Sequence, residues 1–320
     1  MDLRQLAALT AVADHHSFSA AARALHTVQS NVSAHVARLE KEVGTALVDR
    51  STGALTDAGD LVVTRARRVQ SELDALGADV ASSLGELSGT VRLGVIGTTG
   101  RWLVPLLLSE MAEAHPKVNL VIIDATTTSL VPQLASGGLE LAVVNLPVID
   151  PDVDVEVLFE EDHVILAPAD HPLAERDRVA LADLVDTPLL LEPPGTGFRD
   201  DLDADAARAD TTLTPQAEVD GMRLLASLAY QGHGAAILPA SAIVDWTDGS
   251  WRTIALDGTT PRAVGMATPR RVRLAAPARA AAELLRSVVA ADVPHRRGLR
   301  LVAAPGPPAG VASTIGSPPP

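Results

Sequence analysis

Residues Leu25 to Glu40 read LHTVQSNVSAHVARLE. At about 100° per residue, Val32, Val36, Leu39 and, one turn on, Val43 fall on one side of a helix. Ser30, Ser33, Ala34, Ala37, Arg38 and Lys41 lie roughly opposite. One face is core; the other is polar and built from short side chains. Thr27 is the expected N-cap, and Gly44 the residue that closes the helix.

The flanking residues give this helix a setting. Asp2 caps a helix predicted from Leu3 to about Ala13, with Leu3, Leu6, Leu9 and Val12 on its inner side. His15-His16-Ser17 breaks it, and a short alanine-rich helix from about Phe18 to Leu25 follows. A tight His26-Thr27 turn then joins two helices of which the second shows a polar face, which describes a helix-turn-helix. Behind it, Ala46-Leu47-Val48 and Ala54-Leu55 flank Asp49-Arg50-Ser51-Thr52-Gly53 as a hairpin-like wing. Residues 1–58 are therefore predicted to form a winged helix-turn-helix, α with a small β wing.

The small-toothed face suits a major groove, where bulky apolar side chains obstruct docking. Gln29 and Asn31 have the bidentate geometry for adenine, Ser30 and Ser33 reach bases or phosphate, Ala34 suits a thymine methyl, and Arg38 reaches guanine or phosphate. Thr27 at the helix start and Arg50 on the wing complete the expected DNA-binding set, with Arg4 or Arg23 as further phosphate contacts. His35, at the flank, is expected to be partly buried or solvated.

Charge confines that contact. The 320-residue chain carries a formal net charge of −14. Residues 1–68 hold 8 Arg/Lys against 7 Asp/Glu, while the remainder holds 18 against 33. An acidic body repels a polyanion, so nucleic acid is met only at the near-neutral N-terminus. The absence of cysteine excludes disulfides, thiolate metal sites and cysteine nucleophiles, and fits a reducing compartment. No leader-like start and no apolar run of membrane length occur, so a cytoplasmic protein without membrane contact is expected.

A long helix is predicted from Thr56 to about Leu87, with residues 59–88 as linker. Val62, Ala66, Val69, Leu73, Leu76, Val80 and Leu87 step by four and three, Ser83 filling the remaining slot. Such a seam, about three and a half heptads and roughly 45 Å long, calls for a coiled-coil partner, most simply a second copy of the chain.

After Gly89 the texture becomes α/β. Strands are predicted at 91–96, 118–123, 141–144, 164–167, 188–191 and 235–238, and helices at 102–114, 130–135, 222–231 and 278–290. The acidic stretch from Asp150 to Glu156 reads as an edge strand with one solvated face, and Asp200 to Asp210 as an exposed helix or loop. The domain is predicted over 91–293, followed by a disordered Pro/Gly-rich tail at 294–320. Gly97, Thr98 and Thr99 join a strand to a helix, where backbone N–H groups and hydroxyls suit a carboxylate. A dinucleotide enzyme is the competing reading, with Asp124 ending the next strand. The glycines, however, run G-x-x-G-x-x-G and not G-x-G-x-x-G. A pure solute-binding module leaves the helix-turn-helix and the seam without a role. No hydrolase elbow or paired metal-ligand spacing is present, so no enzyme, cofactor or metal is expected.

Ser17-Phe18-Ser19-Ala20-Ala21-Ala22, the stretch Leu25 to Ser33, Leu39-Glu40, Gly44, Leu47, Arg50 and Leu55-Thr56-Asp57-Ala58-Gly59 together resemble the N-terminal signature of LysR-type transcriptional regulators. His171-Pro172-Leu173 and Gly232-His233-Gly234-Ala235-Ala236-Ile237-Leu238-Pro239 resemble that family's effector domain. The chain departs from the family pattern at Val28, Ser30, Asn31 and Val48, and its wing is shorter. The resemblance implies a homodimer or homotetramer on inverted-repeat, double-stranded promoter DNA. It also implies a periplasmic-binding-protein-like domain of two subdomains that takes a small organic effector, a carboxylate among the candidates. By that resemblance Thr126, Thr127, Asn145, Thr196 and Phe198 join Gly97, Thr98 and Thr99 around the effector.

Overall fold

A computed structural model describes residues 1–244 and 250–302. Three helices open the chain: α1 (Leu3–His15), α2 (Phe18–Ala24) and α3 (Gln29–Val43). Asp2 accepts the Gln5 amide while the Gln5 side chain accepts the Asp2 amide, a reciprocal capping box. Helix α1 runs past the expected Ala13 and stops where His16 turns left-handed, at φ 49°. Ser17 caps α2. His26 at φ 52° makes the tight turn, and the Thr27 amide donates to the Ala22 carbonyl at 2.9 Å.

That last bond overturns the expected cap. Thr27 is held in the preceding turn, so α3 starts after Val28, whose side chain caps nothing. The Thr27 hydroxyl instead accepts from Asn31 Nδ2 at 3.0 Å. Gly44 ends the helix at φ 85°, a conformation that favours glycine.

Val32, Val36 and Leu39 of α3 pack with Ala8, Leu9 and Val12 of α1 and Ala21 and Ala22 of α2. Each fully buried Val or Leu contributes about 1.5–3 kcal/mol. The wing is a single antiparallel pair, Val48 with Leu55, closed by the Asp49 amide on the Ala54 carbonyl. Thr56 then caps α4 (Asp57–Ser83) by accepting the Gly59 amide, and donates to the Ala46 carbonyl. A Cβ on Gly59 would lie 2.0 Å from the Leu47 carbonyl oxygen, so only glycine lets α4 sit against the wing. The helix ends at Ser83, where Gly85 takes φ 86°; the predicted seam position Leu87 falls beyond it.

The remaining elements are β1 (Gly89–Val95), α5 (Gly97–Ala114), β2 (Val118–Asp124), α6 (Thr127–Ala135), β3 (Leu141–Asn145), β4 (Val153–Glu161) and β5 (His163–Pro168). They continue as β6 (Arg178–Ala180), β7 (Pro188–Leu191), α7 (Gly197–Arg208), β8 (Thr214–Glu218), α8 (Met222–Tyr230), β9 (Ala235–Pro239), β10 (Trp251–Asp257), β11 (Arg262–Pro269), α9 (Ala276–Asp292) and β12 (Leu299–Leu301). Two compact units result. The first is Met1–Glu156 with Gly265–Val288; the second is Val157–Val264 with the chain from Val289 on. In the first unit β2, β1 and β3 are parallel neighbours, and β3 is buried from Leu141 to Val144, so it reads as one apolar run. In the second unit the sheet order is β6-β10-β5-β9-β7-β8, with β5 and β9 wholly buried.

Two expectations need correction here, while the acidic stretch keeps the solvated face expected of it: Val153 is buried, and Asp154 and Glu156 are exposed. Surface arginines pair with them, Asp154 with Arg270 and Glu156 with Arg286, as Asp152 does with Arg68. Along the outer side of β4, β12 covers only Phe159 to Glu161. Asp205 is not solvated but 2% exposed, because it accepts from the Thr260 amide and hydroxyl and so holds the turn between β10 and β11. The chain does not become irregular at residue 294: Val293–His295 is a 3-10 turn, and β12 pairs with β4. The rest of the expected tail, 303–320, lies outside the described residues.

Candidate nucleic-acid interface and effector site

Burial of one face of α3 leaves the other outward. Gln29, Ser30, Asn31, Arg38 and Lys41 are exposed, while Ser33, Ala34 and His35 are half-buried. Gln29 Oε1 accepts from the Ser19 hydroxyl at 2.9 Å, which ties the start of α3 to α2. Val28, a departure in the sequence, stands 59% exposed at the same end. Its part could not be foreseen, because an apolar residue between two helices reads as core.

Arg50 is not an unencumbered phosphate contact. Its guanidinium pairs with Glu40 at 2.9 Å, donates to Ser33 Oγ at 3.2 Å and lies 5.2 Å from the Phe18 ring centroid. Glu40 also accepts the Leu47 and Val48 amides. Burial pushes its carboxyl up, but those amides and Arg50 outweigh it and hold it below the ordinary glutamate range. Glu40 and Arg50 thus clamp the wing to the groove-facing helix. By contrast Arg4, Arg23, Arg38, Lys41 and Arg65 make no ion pair among the described residues. Across the α/β region most arginines are neutralised, for example Arg178 by Asp257, Arg262 by Glu161 and Arg300 by Glu160 and Asp162. On α3 itself Arg38 and Lys41 are therefore left without an ion pair among the described residues.

Along α4 the predicted seam divides. Val62 packs on the core of the N-terminal helices and Ala66 is buried, so neither is free for a partner. Val69, Leu73, Leu76 and Val80 are exposed, Leu76 to 63%.

In the first unit, the loops after β1, β2 and β3 meet at the C-terminal ends of neighbouring parallel strands, where α/β sheets hold ligands. They bring Gly97, Thr98, Thr99, Thr126, Thr127 and Asn145 together. Thr127 Oγ1 accepts the Asn145 amide at 3.0 Å, and Thr126 and Thr128 hydroxyls are 3.0 Å apart. Helices α5 and α6 both start without a side-chain cap, which leaves backbone N–H donors at this end. The buried Thr99 Oγ1 and Asn145 Oδ1 have no hydrogen-bond partner. A buried polar atom without a partner among the described residues is costly, so these two atoms are candidates to meet a ligand's polar groups.

In the second unit, Thr196 caps α7 and donates to the Pro193 carbonyl. Phe198 packs on the unit's core, edge-on to His163 at 5.1 Å. Arg199, two residues after Gly197 at the start of α7, is 6% exposed and saturated: Asp203 at 2.9 Å, Glu218 at 3.4 Å and the Glu192 carbonyl at 2.9 Å. It is not available to an acidic ligand. Burial raises the Glu192 carboxyl above its ordinary range. His163 is 3% exposed with both ring nitrogens unpartnered; burial foremost, then the Arg262 charge, lowers it to about 4. Among the described residues no cluster of metal-ligating side chains occurs, and no helix is long and apolar enough to cross a membrane.

A winged helix-turn-helix with an open polar face, a long linker helix and an α/β ligand-binding domain define a DNA-binding regulator with an effector domain. The family model for the bacterial regulatory helix-turn-helix protein, lysR family, matches residues 3–60, and that for the LysR substrate binding domain matches residues 84–290. The chain belongs to the LysR family of transcriptional regulators, and the competing enzyme reading is set aside. It is 33% identical over 247 residues to the hydrogen peroxide-inducible genes activator of Dickeya chrysanthemi, covering 76% of this chain and 80% of that one. To the DNA-binding transcriptional dual regulator OxyR of Escherichia coli it is 32% identical over 247 residues, again 76% and 80% of the two chains. A full-length OxyR variant from Pseudomonas aeruginosa superposes with a TM-score of 0.70 at 27% identity, covering 90% of this chain and 94% of that one. The fold also matches full-length CbnR complexed with its target DNA, with a TM-score of 0.66 at 23% identity over 90% and 100% of the two chains.

Proposed function

We propose that this regulator is a cytoplasmic, effector-responsive homodimer or homotetramer that reads an inverted repeat in promoter DNA through α3. The observation that carries the reading is the outward row of short side chains on α3, with Arg38 and Lys41 unpaired in a chain whose other bases are mostly neutralised. Gln29, Asn31, Ser30 and Ala34 meet base edges, and Val28 adds an apolar contact of the kind a thymine methyl offers. The open α3 N-terminus and Thr27 face phosphate. Arg50 acts mainly by holding the wing and Ser33 in place. Val69, Leu73, Leu76 and Val80 join two copies.

The effector is a small organic molecule whose acceptor group is met by Gly97, Thr98, Thr99, Thr126 and Thr127, with Asn145 alongside. Two similar proteins are named for induction by hydrogen peroxide, but this chain holds no thiol for peroxide to oxidise. Its signal is therefore not read through a thiol, and we take it to be a bound effector. Selection from random duplex DNA on the full chain tests the reading: an enriched two-fold repeat is expected, and no enrichment would overturn it.

A further inference from the structure

We propose that helix α6 is a strut that couples the effector loops to the linker helix α4, with Arg68 as the residue that α6 grips. The inference rests on the reading that Thr127 and Asn145 border the effector. At its start, α6 presents Thr127, whose hydroxyl accepts the Asn145 amide. Its far end, roughly 13 Å away over nine residues, offers four C-terminal carbonyls. Three of these are satisfied locally: Pro132 by the Ser136 amide, Gln133 by Gly138 and Leu134 by Gly137. The fourth, Ala135, is taken by the Arg68 guanidinium from α4, with Nε at 2.8 Å and Nη2 also in contact.

A cation at a helix C-terminus is favoured by the helix dipole. Arg68 is held from a second side by Asp152 at 3.1 Å. The backbone is close as well, since a Cβ on Gly137 would come 3.3 Å from Arg68 Cα. Arg68 follows closely on Val63, which is buried in the N-terminal core, and on Arg67, which pairs with Asp14, so α4 is anchored to the DNA-binding helices just before it. A displacement of α6 thus bears on the helix that carries the DNA-binding domain.

A second hold lies further along. Asp79 Oδ1 accepts the Ala276 amide at 2.8 Å and so caps α9 from another element, with Arg279 at 3.6 Å. Arg68 and Asp79 are eleven residues apart, about three helical turns and roughly 16 Å, so they share one face of α4. The exposed Val69, Leu76 and Val80 lie about 100° around the helix, which leaves them free for a second copy, while Leu73 also faces the cavity between the holds. Between the two holds, Leu73, Ala78, Leu134, Leu139 and Leu274 border a cavity of about 560 Å³.

Hydrogen exchange on the full chain tests the strut without effector or DNA. Thr127→Ala is expected to raise exchange at the Ser136 to Leu139 amides and in α4 around Arg68, and Arg68→Gln to raise the same α4 amides. Arg68→Lys keeps the charge and stem and checks that the fold survives, with an intermediate rise expected. Exchange confined to Thr127's own loop would overturn the proposal. Affinity for a duplex selected on the wild type supplies the second arm. Thr127→Ala is expected to change Kd about fivefold or more, and to change it no further in an Arg68→Gln background. Additive effects would also overturn the strut. If exchange responds as expected but even the wild type binds no DNA, the strut stands and the regulator reading at α3 fails.

Discussion

Glu40 and Arg50 are joined side chain to side chain at 2.9 Å, and the same carboxylate caps the Leu47 and Val48 amides. One acid on the groove-facing helix therefore sets where the wing stands. Its pKa is lowered in the fold, so the stabilisation is present above the ordinary glutamate value of 4.5 and is lost as pH falls through the lower folded value. Glu40→Gln should melt earlier at neutral pH, and its melting temperature should fall less than the wild type's on acidification below about 4.5. Parallel pH curves for the two proteins would contradict the clamp.

His163 should dominate acid sensitivity at milder pH. The unfolded chain takes up its proton near 6.5, whereas the folded site does so only at about 4. Stability is therefore complete above the unfolded value and declines between the two, by about 3 kcal/mol in all. His163→Leu removes no hydrogen bond, since both nitrogens lack partners. Urea unfolding from about pH 7.5 to pH 4.5 is expected to show a clearly shallower loss in the variant; an equal loss would place the titrating group elsewhere.

Val69→Asp with Leu76→Asp places two charges on the exposed row of α4. Neither residue is buried within the chain, so each copy should fold while the assembly dissociates. Sedimentation should report the monomer mass; unchanged mass would remove this row from the interface.

Hydrogen peroxide should leave DNA affinity unchanged, because the chain contains no cysteine to form a sulfenic acid or disulfide. The comparison is a binding curve before and after oxidation. A shift in Kd would point to one of the four methionines and overturn the bound-effector reading.

Much of the architecture was legible because periodicity and breakers carried it. Val32, Val36 and Leu39 marked the core face of α3, and Pro188–Leu191 and Met222–Tyr230 stood out as apolar segments between turns. Strands such as β8, with its sequence TPQAE, had no alternation or apolar run to announce them; partners at a distance make them strands. The α3 cap was misplaced because its alternative was a long-range backbone bond from Thr27 to Ala22. Site residues were legible by type but not by commitment. Nothing local shows that Arg199 is also taken by Glu218, that Arg50 is held by Glu40, or that the acids from Asp152 to Glu156 find arginines far along the chain.

The central claim is that α3 meets DNA, and Arg38 tests it most directly, being exposed and without an ionic partner among the described residues. Fluorescence anisotropy on a selected duplex, over a salt series, compares the wild type with Arg38→Ala. If Arg38 meets phosphate, the variant should bind about tenfold more weakly, with a salt slope reduced by about one, and the same melting temperature. Equal affinity and slope in the two proteins would contradict the account.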